Sequence, residues 1–134
     1  MDIRFLEFSD YEDTLVQWWK DWRWEPPKRD FLPGNGESGL MVSHQGVDIC
    51  AGFIYLTNSK AAWSEFIISN FNIKDKSIRN EAILILINAL SEVAKDHGCE
   101  YVFTSIKNES LLEKYTSSGY EIGSKGCYEL IKKL

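Results

Sequence analysis

A chain of 134 residues, 44% hydrophobic and 26% charged, has the length and composition of one ordinary globular domain. Such a chain buries roughly two-thirds of the surface it exposes when unfolded. The formal net charge of -5 and pI of about 5.0 leave no basic footprint, which argues against a nucleic-acid partner. No apolar run approaches the roughly 18 residues of a membrane span, and the opening MDIRFLEFSD has no basic region followed by an apolar block, which argues against membrane and secreted classes. Cys50, Cys99 and Cys127 are widely spaced and form no C-x-x-C pair. They read as reduced thiols of a cytoplasmic protein, with no disulfide framework and no zinc site, and His44 and His97 add no ligand cluster.

Residues 3–8 alternate, with Ile3 and Phe5 on one face, and predict a short strand. Ser9-Asp10-Tyr11-Glu12 has the S-x-x-E form of a capping box, so a helix is predicted from near residue 10. Leu15, Val16, Trp18, Trp19 and Trp22 recur along it at helical spacing, and Pro26 and Pro27 end it. Four of the five tryptophans stand between positions 18 and 24, more than one helix face can bury, and an exposed aromatic patch marks a binding surface. Residues 28–39 form a loop containing GNGESG, formally G-x-G-x-x-G. It lacks the preceding strand and following helix of a dinucleotide site, so it reads as plain loop.

GLMVSHQ (39–45), VDICAGFIYLT (47–57) and AAWSEFIISN (61–70) predict three strands. The short turns at Gly46 and Asn58-Ser59-Lys60 make an antiparallel meander their natural pairing. A second helix is predicted over roughly 79–97, with Ile83, Leu86, Leu90 and Val93 as its main stripe and Ile87, Ala89 and Ala94 beside it. It is apolar nearly all round in its first turns, hence deeply buried, and Gly98 stops it. YVFTSI (101–106) predicts a strand and 109–117 a third helix ended by Gly119, while YEI and CYELIKKL predict one or two closing strands. The order is that of a single α/β domain: a mixed central sheet with an antiparallel N-terminal meander, flanked by about three to four helices.

The stretch NESLLEKYTSSGY (108–120) places Tyr115 seven residues after Asn108 and closes on Gly119-Tyr120. Read locally, Asn108 is a helix N-cap and Tyr115 a core residue. Read with the strand order, the spacing resembles the GNAT superfamily of N-acetyltransferases over nearly the whole chain. The strand EFII, followed by a polar loop, an arginine and a long helix ending in Gly98-Cys99, is similar to that family's cofactor-binding core.

The resemblance implies acetyl-CoA as acyl donor. It implies an acceptor amine on a small molecule, peptide or protein, attacking directly in a ternary complex with no covalent intermediate. No nucleic acid or membrane partner enters, and homodimers are common in the family. Carried over residue by residue, Tyr115 bonds or protonates the departing thiolate, and a positioned acid of that kind contributes about 10²–10⁴-fold. Asn108 holds the pantetheine arm. The backbone of Ile67 and Ile68 bonds the pantetheine and polarises the thioester carbonyl where the strands splay. Glu65, on the same strand, is the candidate base, acting directly or through water. Trp22 and Trp24, with Arg23, Lys28 and Arg29 nearby, border the acceptor pocket.

The family's cofactor loop reads roughly Q/R-x-x-G-x-G/A, its backbone N–H groups cradling the pyrophosphate at a helix N-terminus. This chain has RNEAIL instead, with Arg79 at the first position, Asn80 after it, Ala82 in the first glycine place and Leu84 in the second. A second register starts at Lys74 and puts Ser77 and Arg79 in the glycine places; helix length favours the first. Lys74, Lys76 and Arg79 crowd the loop against Asp75 alone, and cations so placed supply part of what the glycines do. The missing glycines also raise an alternative: the same fold kept as a non-catalytic binding or regulatory module without CoA.

Overall fold

The computed structural model describes residues 1–134. β1 (Asp2–Phe5) leads into α1, which joins Phe8–Asp10, a π-wound stretch Tyr11–Leu15 and Val16–Asp21. Two short 3₁₀ turns, Arg29–Phe31 and Pro33–Gly36, carry the chain to the meander of β2 (Gly39–His44), β3 (Val47–Leu56) and β4 (Ala61–Ser69). The GNGESG segment ends directly in β2 and opens no helix. α2 (Lys76–Asp96), β5 (Tyr101–Phe103) and α3 (Glu109–Ser117) follow. The sheet order is β1-β2-β3-β4-β5, antiparallel throughout except for the parallel β4–β5 pair that α2 connects.

Both faces of the sheet are covered, which is why its central strands read as continuous apolar runs. Alternation within them sorts the two cores. Leu40, Val42, Cys50 and Ile54 pack with Ala82, Leu86 and Leu90 of α2. Met41, Ala51 and Phe53 pack with Leu15, Trp18 and Trp19 of α1. Burial pushes the Cys50 thiol far up, so it is inert packing. No helix is long and apolar enough to cross a membrane.

Three sequence expectations are corrected. α1 starts at Phe8, because Glu7 and not Ser9 is its N-cap, with Asp10 as the reciprocal residue of the capping box: the Asp10 carboxylate accepts the Glu7 N–H at 2.7 Å and takes the Arg4 guanidinium bidentately at 2.7 and 2.9 Å. α2 starts one turn earlier than predicted, because Asp75 caps it through Ser77 N–H at 2.9 Å and Ile78 N–H at 3.4 Å. The closing strands are not formed: residues 120–134 hold no strand, and Tyr128, Leu130 and Leu134 lie exposed. β5 is only three residues long, a short edge to extend, and Gly123 and left-handed Gly126 (φ 68°) punctuate the segment.

The Arg4–Asp10 pair fixes β1 to α1, and Arg4 holds the Asp10 carboxyl below its ordinary range, burial opposing. A carboxyl depressed in the folded state stabilises fully above the unfolded value of about 3.9 and loses that contribution as pH falls through the lower folded value. Asp10→Ala is therefore expected to cost about 1–3 kcal/mol at pH 7. Thermal denaturation of parent and variant should converge as pH falls below that range.

Candidate functional site

The site begins where the sheet opens. The β4–β5 ladder runs only from Ala61↔Tyr101 to Trp63↔Phe103. Past it a side chain makes the link, Thr104 Oγ1 donating to the Ser64 carbonyl at 2.7 Å, while β4 continues to Ser69 without a strand partner on that side. Toward β3 the register slips between Ala51↔Ile68 and Phe53↔Glu65, a bulge that sets Phe66 and Ile67 against Gly52. Phe66 adopts a left-handed φ of 56°, rare for a bulky side chain, and is held by an edge-on ring contact to Phe31 at 5.8 Å. Gly52 lies opposite at close quarters: a Cβ there would stand 3.1 Å from the Ile67 side chain and 3.2 Å from that of Leu90, so either would have to shift slightly.

Into this gap opens a cleft of about 350 Å³. β4 gives it Ile67, Ile68 and Ser69; α2 gives Arg79, Asn80 and Ile83; the start of α3 gives Asn108, Ser110, Leu111 and Lys114; Trp22 and Trp24 close the remaining side. Trp22 is tied to the strand end, its indole N–H donating to the Ser69 carbonyl at 2.8 Å, with Trp24 stacked 6.3 Å away and Phe71 edge-on at 5.0 Å. The tryptophan excess is thus divided: Trp18 and Trp19 are core, Trp22 and Trp24 are cleft wall.

Seven of the residues singled out from the sequence meet in this cleft: Trp22, Trp24, Ile67, Ile68, Arg79, Asn80 and Asn108. Asn108 is at the same time the N-cap of α3, its side chain accepting the Leu111 N–H at 3.1 Å. Arg79 Nη1 donates to the Ile73 carbonyl at 2.9 Å, which leaves its other donors free. Glu65, just before the bulge, accepts the Ser105 N–H at 3.2 Å; burial first, with Glu129 adding, raises its pKa above the ordinary carboxylate range.

Glu65 and the other four do not line the cleft. Tyr115 is 2% exposed, its hydroxyl 2.7 Å from Ser64 Oγ and its ring edge-on to Tyr120 at 4.8 Å. Burial pushes the phenol up to about 12. Lys74 folds over Phe71, 4.0 Å from the ring centre, and donates to the Phe71 carbonyl. Lys76 is the exposed first residue of α2. Ala82 is fully buried in the α2 core, well inside the helix, so the register that put it in a glycine place does not match the helix start. The register from Lys74 does. It sets Ser77 at the helix N-terminus, where the Asp75 carboxylate already takes the Ser77 and Ile78 N–H groups.

The sequence reading missed Ser69, Ile83, Ser110, Leu111 and Lys114. Helical spacing from Asn108 points to Leu111, three residues on and so a neighbour on the same face. Lys114 is anchored on Ser110, at 2.7 Å to Oγ and 3.3 Å to the carbonyl oxygen. Burial lowers its pKa, with Arg79 lowering it further against the pull of Glu113.

No family model matches the sequence, and no curated protein does. Solved structures do share the architecture from end to end. A glucosamine-6-phosphate N-acetyltransferase from Arabidopsis thaliana is 16% identical with a TM-score of 0.67, covering 98% of each chain. A Mycobacterium tuberculosis protein solved in complex with CoA is 14% identical with a TM-score of 0.68, over 96% of this chain and 76% of that one. An aminoglycoside acetyltransferase from an uncultured soil sample is 14% identical with a TM-score of 0.63, over 98% of this chain and 96% of that one. At such identities the likeness defines a fold, and the fold is that of the GNAT acetyltransferases.

Removing the Tyr115 hydroxyl leaves Ser64 Oγ buried without this partner, so Tyr115→Phe is expected to cost about 1–2 kcal/mol in chemical denaturation. A phenol raised from 10.0 to about 12 on folding stays protonated longer in the folded state, so the fold should lose stability from pH 10 upward to about pH 12. Tyr115→Phe should flatten that alkaline limb.

Proposed function

We propose that the protein is an acetyl-CoA-dependent N-acetyltransferase that passes an acetyl group to an amine of a small molecule or protein by direct attack in a ternary complex. One observation carries this reading: a bulged strand loses its neighbour, and its edge at Ile67–Ile68, with Ser69 beyond it capped by Trp22, faces a cleft that Asn108 also lines. The acetyltransferases of the same fold, and a protein of that fold solved with CoA, support it.

The donor supplies an activated acetyl thioester. The backbone of Ile67 and Ile68, on an edge of β4 that has no strand partner past Trp63, would hold its pantetheine arm and polarise the carbonyl, and the Asn108 amide nitrogen would bind from the opposite wall. Arg79 and Asn80 face the phosphates from the cleft, and Lys74 on the loop and Lys76 at the first position of α2 add positive charge beside it. Glu65 takes the proton of the attacking amine, a task its raised pKa suits. Tyr115 supplies a proton to the leaving thiolate after exchanging its bond to Ser64; with its pKa near 12 it is a weaker acid than a free phenol. Trp22 and Trp24 shape the acceptor side. The three free thiols, Cys50, Cys99 and Cys127, fit a reducing cytoplasm.

A second reading, a CoA-free binding module of the same fold, is favoured by the Asp75 carboxylate on the α2 N-terminus, where a phosphate would otherwise bind. Calorimetric titration with acetyl-CoA separates the two. The enzyme reading expects micromolar binding, weakened about tenfold or more in Arg79→Glu. It also expects binding several-fold tighter in Asp75→Ser, which keeps a capping oxygen and removes the charge. The absence of both heat and thermal stabilisation at millimolar acetyl-CoA would favour the module.

A further inference from the structure

Two cations face the cleft from different helices, and neither is in an ion pair. Arg79 stands on the first turn of α2 and Lys114 two turns into α3, both lining the same cavity. The ion pairs of the fold involve Arg4, Arg29 and Lys60 and include neither of these two, although the adjacent Glu113 offsets part of the Lys114 charge. Each is also held in place by a neutral group: Arg79 by the Ile73 carbonyl, Lys114 by the Ser110 hydroxyl and carbonyl. Like charges kept together at a half-buried site repel unless an anion sits between them. The α2 N-terminus, the usual alternative for an anion, has its Ser77 and Ile78 N–H groups on Asp75. Around the cations the cleft is apolar, with Ile67, Ile83 and Leu111, so the anion it suits carries an extended arm.

We propose that Arg79 and Lys114 form a two-cation clamp for a phosphate or pyrophosphate group, set between α2 and α3 and displaced from the helix N-terminus. On the acetyl-CoA reading, on which this rests, the clamp holds the pyrophosphate of the donor and replaces the glycine loop with side chains. Arg79 offers a planar donor pair and Lys114 a point charge, a combination that spans two phosphate oxygens and discriminates against uncharged ligands.

Inorganic pyrophosphate, CoA and pantetheine titrated into the whole chain test it, with calorimetry and the emission of Trp22 and Trp24 as readouts. Arg79→Gln and Lys114→Gln should each weaken CoA and pyrophosphate about tenfold. Pantetheine, which lacks the phosphates, should bind all forms alike. Lys114→Arg should restore CoA binding, and Lys95→Gln, far along α2, should change nothing. CoA and pyrophosphate binding Lys114→Gln as tightly as the parent would overturn the clamp. Pyrophosphate bound through both cations, with CoA no tighter, would keep the clamp and overturn the acetyl-CoA reading. No response to either at millimolar concentration would overturn both.

Discussion

The parting of β4 from β5 is the constraint on which the rest of this molecule depends. A strand inside a sheet has its backbone donors and acceptors consumed by neighbours, and an unpaired buried edge is costly. Here the ladder stops at Trp63↔Phe103 while β4 runs six residues further, to Ser69. The bulge at Phe66–Ile67 bends the strand and Thr104 seals the fork. What remains open is a polar edge in an apolar cleft, a pattern that suits an amide-bearing chain laid alongside as an additional strand. The left-handed Phe66 and the close approach at Gly52 show backbone strain concentrated at this point, held by packing from both cores.

The start of α2 shows the opposing pressure. A helix N-terminus beside such a fork is the natural place for a phosphate, yet this helix carries its own carboxylate there. Asp75 stabilises the helix locally and repels a phosphate at the same position. Positive charge is instead on side chains: Arg79 and Lys114 at the cleft, Lys74 on the preceding loop and Lys76 at the first position of α2. Side-chain cations are longer and less directional than N–H groups, so recognition by them is more salt-dependent than by a glycine loop.

Position along a helix decides roles on α3. Lys114 lines the cleft, whereas Tyr115, one residue and about 100° further round the helix, is turned into the core against Ser64. The tryptophans are divided by where α1 ends: Trp18 and Trp19 seal it onto the sheet, and Trp22 and Trp24, past Asp21, form a wall of the cleft.

Strand order, the meander, the burial of α2 and the Asn108 cap were all legible in the sequence, because alternation, helical spacing and capping chemistry are local. So was the membership of Trp22, Ile67, Arg79 and Asn108 in one site, through spacing that resembles a known family. The starts of α1 and α2 were not legible, since Asp10 and Asp75 compete with nearby polar residues and only backbone geometry shows which carboxylate meets the N–H groups. Nor were the burial of Tyr115 and Ala82, the loose C-terminal segment, or the meeting of Lys114 with Arg79. Those depend on how helices rotate against a sheet and which elements close across space, and long-range packing decides such things where no local pattern records them.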